Sequence, residues 1–176
     1  MEPSLIPSRR ELLSGAGAAL SLLLIGCAPS NERQAADANG SGMTTASPPE
    51  RLSMIVHRDP NCGCCEAWAQ LARDAGFDAR IVDEPDMAAV KRRLGVPQAL
   101  ASCHTAVAEG LLFEGHVPLA QVRRLLDSRP AGISGLAVPG MPVGSPGMEM
   151  PDGRREPYQV LAFDGAGRTS LFFNVA

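Results

Sequence analysis

Leu52-Ser53-Met54-Ile55-Val56-His57 is followed by Arg58-Asp59-Pro60-Asn61 and then by Cys62-Gly63-Cys64-Cys65, and this segment sets the architecture of the chain. Its first six residues form a short apolar run of the kind that makes a buried strand. Asp59 and Pro60 break that run. Beyond the cysteines, Trp68, Leu71, Ala72 and Ala75 recur at i, i+3, i+4 and i+7, which predicts a helix starting near Cys64 and stopped by Gly76. Three cysteines therefore fall in a turn between a strand and a helix. Backbone N–H groups at a helix start are unpaired and favour negative charge, so thiolates there suit nucleophilic attack and metal ligation equally.

Ala79 to Val82 reads as a second strand, parallel to the first because a helix connects them. Met87, Val90 and Leu94 line a second helix, ended by Gly95 and Pro97. Thr105–Ala108 and Leu111–Glu114 flank Glu109-Gly110, a hairpin turn. Leu119, Val122, Leu125 and Leu126 mark a third helix, opened by Pro118 and followed by Pro130. The order β-α-β-α-β-β-α predicts a layered α/β domain. Gly132 to Met150 is rich in Gly, Pro and Met and has no period, so an ordered loop packed over another part is expected there, without a regular element. Tyr158–Phe163 and Thr169–Val175 read as a terminal β-hairpin.

The 176 residues carry 16 basic and 19 acidic side chains, which leaves no electrostatic footprint for nucleic acid. With 45% hydrophobic residues, wholesale disorder is excluded too. Residues 1–26 read as an export signal: Arg9 and Arg10 precede an apolar stretch from Leu12 to Gly26 that is too short for a comfortable membrane span. It ends in Leu24-Ile25-Gly26-Cys27, which resembles a bacterial lipobox and implies a diacylglycerol on Cys27. Ser8-Arg9-Arg10-Glu11-Leu12-Leu13 also resembles a twin-arginine signal. Residues 27–50 would then be the lipidated cysteine and a flexible tether, and residues 51–176 the folded domain. The expected location is the periplasm or cell envelope, lipid-anchored to membrane, where free thiols tend to oxidise.

The cysteine turn resembles that of the thioredoxin fold, in which a loop ending in cis-Pro packs against the active cysteines. Here the matching loop is Ala101-Ser102-Cys103-His104-Thr105, with Cys103 near the place of the proline. Three chemistries compete. A dithiol oxidoreductase would use Cys62 and Cys65, leaving Cys64 as a competing thiol. A zinc site could draw on four thiolates, although adjacent Cys64 and Cys65 do not easily aim at one ion. A copper site makes use of adjacency, since each sulfur can bridge different ions and thiolates favour Cu(I). Met141 and Met148 offer soft thioethers, and His104 and His116 offer imidazoles. On a regular strand Cys103 and His104 would point to opposite faces. A plain staple from Cys62 or Cys65 to Cys103 is the structural alternative. His57 is a weaker candidate ligand, and Trp68 reads as core.

Cys62-Gly63-Cys64-Cys65, Ser102-Cys103-His104-Thr105, Glu114-Gly115-His116-Val117-Pro118 and the Gly135–Met148 loop together resemble the CopG-type periplasmic copper-resistance proteins. The resemblance runs from about Leu52 to Phe173. It implies a thioredoxin-like domain that binds copper, as Cu(I) or a small multinuclear cluster, in copper resistance or homeostasis. Redox exchange between Cu(I) and Cu(II) and contact with other envelope copper-handling proteins would fit that role. Metal binding rather than classical enzyme turnover is the expectation. The family pattern carries over onto Cys62, Cys64, Cys65 and Cys103, and extends to Met141, Met148, His104 and His116.

Overall fold

The computed structural model describes residues 51–176. The signal at 1–26, Cys27 and the tether to residue 50 lie outside the described residues. No helix among those described is long and apolar enough to cross a membrane.

The element order is β1 (Leu52–Arg58), α1 (Gly63–Asp74), β2 (Phe77–Asp83), α2 (Met87–Leu94), a 3-10 turn (Gln98–Leu100), β3 (Thr105–Ala108), β4 (Leu111–Glu114), α3 (Leu119–Ser128), β5 (Gly135–Ala137), β6 (Tyr158–Phe163) and β7 (Thr169–Val175). The strands form one mixed sheet in the order β2-β1-β3-β4-β5-β6-β7. β1 runs parallel to β2 and β4 parallel to β5; the other neighbours are antiparallel.

Alternation sorts the side chains between the two faces. Met54 and Val56 of β1, with Ala106 of β3 and Phe113 of β4, meet Trp68, Ala69 and Ala72 of α1 and Val122, Leu125 and Leu126 of α3 in the main core. Their neighbours Val107 and Leu112 face the other way, onto Val96 and Leu100 beyond α2. Helix ends follow the expected signals. Asp86 caps α2 by accepting from Ala89 N at 2.9 Å, and Gly95 closes it with φ +82°. Glu109 (φ 51°) and Gly110 (φ 77°) make the left-handed pair that a two-residue hairpin requires.

The Gly/Pro/Met-rich segment contains a regular element after all, which corrects the sequence reading. Gly135–Ala137 is strand β5, buried throughout, bridging β4 and β6 and so joining the terminal hairpin to the sheet. Three residues are too few to show a period, and glycine in a strand marks close approach. A Cβ on Gly135 would run into the Leu112 carbonyl oxygen and come within 2.8 Å of the Phe163 ring. Replacing Gly135 with Ala is therefore expected to destabilise the domain by about 1–3 kcal/mol, measured by urea unfolding, because neither neighbour has room to retreat.

Candidate metal centre

The cysteine turn sits where the strand-to-helix pattern puts it. Cys62 is the N-cap of α1 and supplies no side-chain cap, so the first N–H groups of the helix stay open toward the cysteines. Cys64 and Cys65 lie in the first turn, and Cys65 is fully buried. Cys62 and Cys65 form a disulfide with Cα atoms 5.4 Å apart, so the staple to Cys103 is not the one made. Cys64 and Cys103 are free thiols. Cys64 Sγ donates toward Cys62 Sγ at 3.5 Å. The sulfurs of Cys62, Cys64, Cys65 and Cys103 all lie within 4.8 Å of one another.

Cys103 belongs to a second group with His104 and His116, again within 4.8 Å. Residues 103 and 104 precede β3, in irregular backbone, so the strand rule that would separate them does not apply. Cys103 Sγ lies 3.0 Å from His116 Nε2 and 3.2 Å from His104 Nδ1. The tautomers follow from the partners. The Pro146 carbonyl, 2.7 Å from His116 Nδ1, can only accept, so Nδ1 carries the proton and Nε2 turns a lone pair to Cys103. The Cys103 S–H donates to that lone pair. His104 then donates from Nδ1 to the same sulfur, which leaves its buried Nε2 without a partner.

Burial governs the charges. It holds the His104 imidazole well below its ordinary pKa of 6.5, helped by His116 and Lys91. It lowers His116 too, against the opposing Pro146 hydrogen bond and Glu149 charge. The Cys103 thiol is pushed up to about 12, chiefly by burial and then by Cys64. The metal-free cluster is therefore neutral around Cys103: a protonated thiol between two uncharged imidazoles.

The Met-rich loop covers the helix start. Gly147, with φ +84°, lies so close that a Cβ would come within 2.9 Å of Cys64 O and Trp68 N. Met148 is part-buried beside it, whereas Met141 is 52% exposed. Trp68 is core as expected; its Nε1 donates to Val117 O at 3.0 Å and its ring lies 4.7 Å from that of His104. His57 stands apart, with Nδ1 2.8 Å from Glu84.

The sequence reading missed a buried polar set below Cys103. Glu114, fully buried, accepts from Lys91 Nζ at 2.5 Å, Ser102 N at 2.6 Å and Thr105 Oγ1 at 2.6 Å. A signal existed: Lys91 occupies the i+4 place on the apolar face of Met87, Val90 and Leu94.

A small mixed α/β domain with four convergent sulfurs and two adjoining imidazoles defines a protein with a candidate soft-metal site. A family described as "Protein of unknown function, DUF411" matches residues 100–148, which include Cys103, His104, His116, Met141 and Met148. Two solved structures described as copper resistance protein CopG, form 1 and form 2, are 48% and 47% identical to this chain. They cover 72% of this chain and 98% and 100% of their own, with TM-scores of 0.67 and 0.68. No curated protein matches. The chain belongs to the CopG copper resistance protein family.

The two depressed imidazoles set a pH dependence for the metal-free protein. The unfolded chain takes up protons near pH 6.5 where the folded chain does not, so the stability held above that pH is lost as pH falls through it. Each histidine contributes a slope of at most about 1.4 kcal/mol per pH unit. Urea unfolding between pH 7 and 5.5 should show this decline, and His104→Gln should make it shallower.

Proposed function

We propose that this protein binds copper as Cu(I), singly or as a small thiolate-bridged cluster, and acts in copper resistance or homeostasis in the cell envelope. The observation that carries this reading is the convergence of four sulfurs within 4.8 Å of one another, one of which, Cys103, also meets the unprotonated Nε2 of His116 at 3.0 Å. Cys62, Cys64, Cys65 and Cys103 would supply thiolates, and their softness and the adjacency of Cys64 and Cys65 favour Cu(I) over zinc. His116 fits as a direct ligand: its other ring nitrogen already donates to a backbone carbonyl, the arrangement typical of metal-bound histidine. His104 fits better as a donor to Cys103, because ligation through Nδ1 would leave a buried N–H on Nε2 with no acceptor. Met148 is the better placed of the two thioethers, given the exposure of Met141.

We read the β2-β1-β3-β4 half as thioredoxin-like, with the cysteine turn opposite the Cys103 loop. We also propose that residues 1–26 are removed as an export signal, that Cys27 is lipidated and held to a membrane, and that residues 28–50 tether the domain. Copper ions are the partner this chemistry requires, and other envelope copper-handling proteins are the natural donors and acceptors.

The Cys62–Cys65 disulfide favours a second reading, thiol–disulfide exchange with envelope proteins. It also conditions the first: the sulfur set is complete only after that bond is reduced by two electrons. Cys64→Ser separates the two. In anaerobic titrations of reduced protein, wild type should take up Cu(I) with sulfur neighbours seen by X-ray absorption, and the variant should lose copper. Disulfide reduction by Cys62 and Cys65 should survive that substitution. Wild-type protein that takes up zinc but no Cu(I) would overturn the copper reading.

A further inference from the structure

A fully buried carboxylate salt-bridged to a nearly buried lysine is a costly thing to keep in a domain of this size. Lys91 Nζ lies 2.5 Å from Glu114 Oε1 and 3.0 Å from Thr105 Oγ1, and Glu114 Oε2 accepts from Thr105 Oγ1 at 2.6 Å. The donors and acceptors balance: the threonine hydroxyl donates a hydrogen bond to Glu114 and accepts one from Lys91. Apolar residues of similar volume commonly serve stability as well as such a pair, or better. Stability alone therefore gives no reason for the charges. The remaining contact does, because Glu114 Oε1 accepts the Ser102 N–H at 2.6 Å, one residue before Cys103.

We propose that Lys91, Glu114 and Thr105 are positioning residues that hold the Ser102–Cys103 peptide, and with it the Cys103 sulfur, against the cysteine turn and His116. Three ties fix the segment. Ser102 N is held by Glu114, Ser102 Oγ donates to Gly140 O, and His104 O accepts from Gly115 N at 2.9 Å. Gly115 has φ +71°, and a Cβ there would come within 2.6 Å of Ser102 Cβ and 2.7 Å of Val138 O, so only glycine lets the segments meet. Cys103 stands between these ties. Lys91 orients the carboxylate, Thr105 closes its second oxygen, and the peptide N–H is what the oriented oxygen grips. The role bears on metal binding only through the copper reading above, but the placement of Cys103 can be read without metal.

Two double variants of the full chain isolate the grip. Lys91→Met with Glu114→Leu removes both charges and the acceptor; Lys91→Met with Glu114→Gln removes the charges and keeps a carbonyl acceptor for Ser102 N–H. The Gln variant should melt close to wild type, and the Leu variant lower, because it leaves the Ser102 N–H and the buried Thr105 hydroxyl without their partners. The Leu variant should lose about tenfold to a hundredfold in Cu(I) affinity. Its Cys103 should be alkylated faster in metal-free protein, read by mass spectrometry of the peptide carrying it, while the Gln variant stays near wild type in both respects. In wild type, the Ser102 amide should exchange its hydrogen as slowly as the central strands, a measurement that holds even if the Leu variant does not fold. Fast exchange of that amide, or two double variants that behave alike, overturns the proposal. Wild-type protein that binds no Cu(I) sinks the copper reading instead, and the alkylation and exchange results then decide the positioning claim by themselves.

Discussion

The site depends on the register of β3 between β1 and β4. Antiparallel pairing of His57 with Thr105 puts the end of β1, which leads into the cysteine turn, beside the start of β3, which follows Cys103. Pairing of Thr105 with Glu114 places the chain beyond β4, and so His116, at the same end of the sheet. Residues far apart in sequence meet because two adjacent antiparallel ladders terminate together. A slip of one residue in either ladder would turn the Ala106 and Phe113 side of the hairpin away from the main core, so burial of that face enforces the register that assembles the site.

Most of this framework was legible in the sequence because its signals were local. Met87–Leu94, Thr105–Ala108 and Leu111–Glu114 are bounded by turn residues whose geometry admits little else, and the structure places those elements there. β5 was not legible as a strand: its three residues are buried on both sides and sit among prolines and glycines that indicate loop. Its partners, β4 and β6, are distant in sequence, so nothing local specifies it. β2 is longer than the apolar run Ala79–Val82, since Phe77 and Asp83 pair with β1 through backbone groups that composition does not report.

The candidate site divides in the same way. The four site cysteines could be picked from spacing because clustered thiols are rare, and cysteine is conspicuous at a position where proline is expected. Glu114 could not be told from a solvated charge, and the only local sign for Lys91 was its place on the apolar face of α2. Their burial comes from elements that converge on them, and Lys91 is followed by Arg92 and Arg93, which make the end of α2 look like an ordinary exposed face. The separate roles of His104 and His116 toward the Cys103 sulfur, donor and acceptor, were equally out of reach. They turn on which ring nitrogen finds a carbonyl, and Pro146 sits on the loop that returns from beyond β5.

The neutral state around Cys103 explains how such a cluster can exist before metal arrives. Thiolates this close together would repel one another in a medium that screens poorly, and burial raises the cost of each charge. Beside the free Cys64, the protein instead stores the site as the Cys103 thiol, two uncharged imidazoles and a disulfide, each compatible with burial. A soft cation entering this pocket would displace the Cys103 proton, so affinity is tied to pH, and it would need the Cys62–Cys65 bond reduced, so affinity is tied to redox state. Those two couplings come from the same packing that brings the sulfurs together. A more exposed cluster would ionise more easily, but it would lose the enclosure that the Gly147 contact and the Glu114 grip provide.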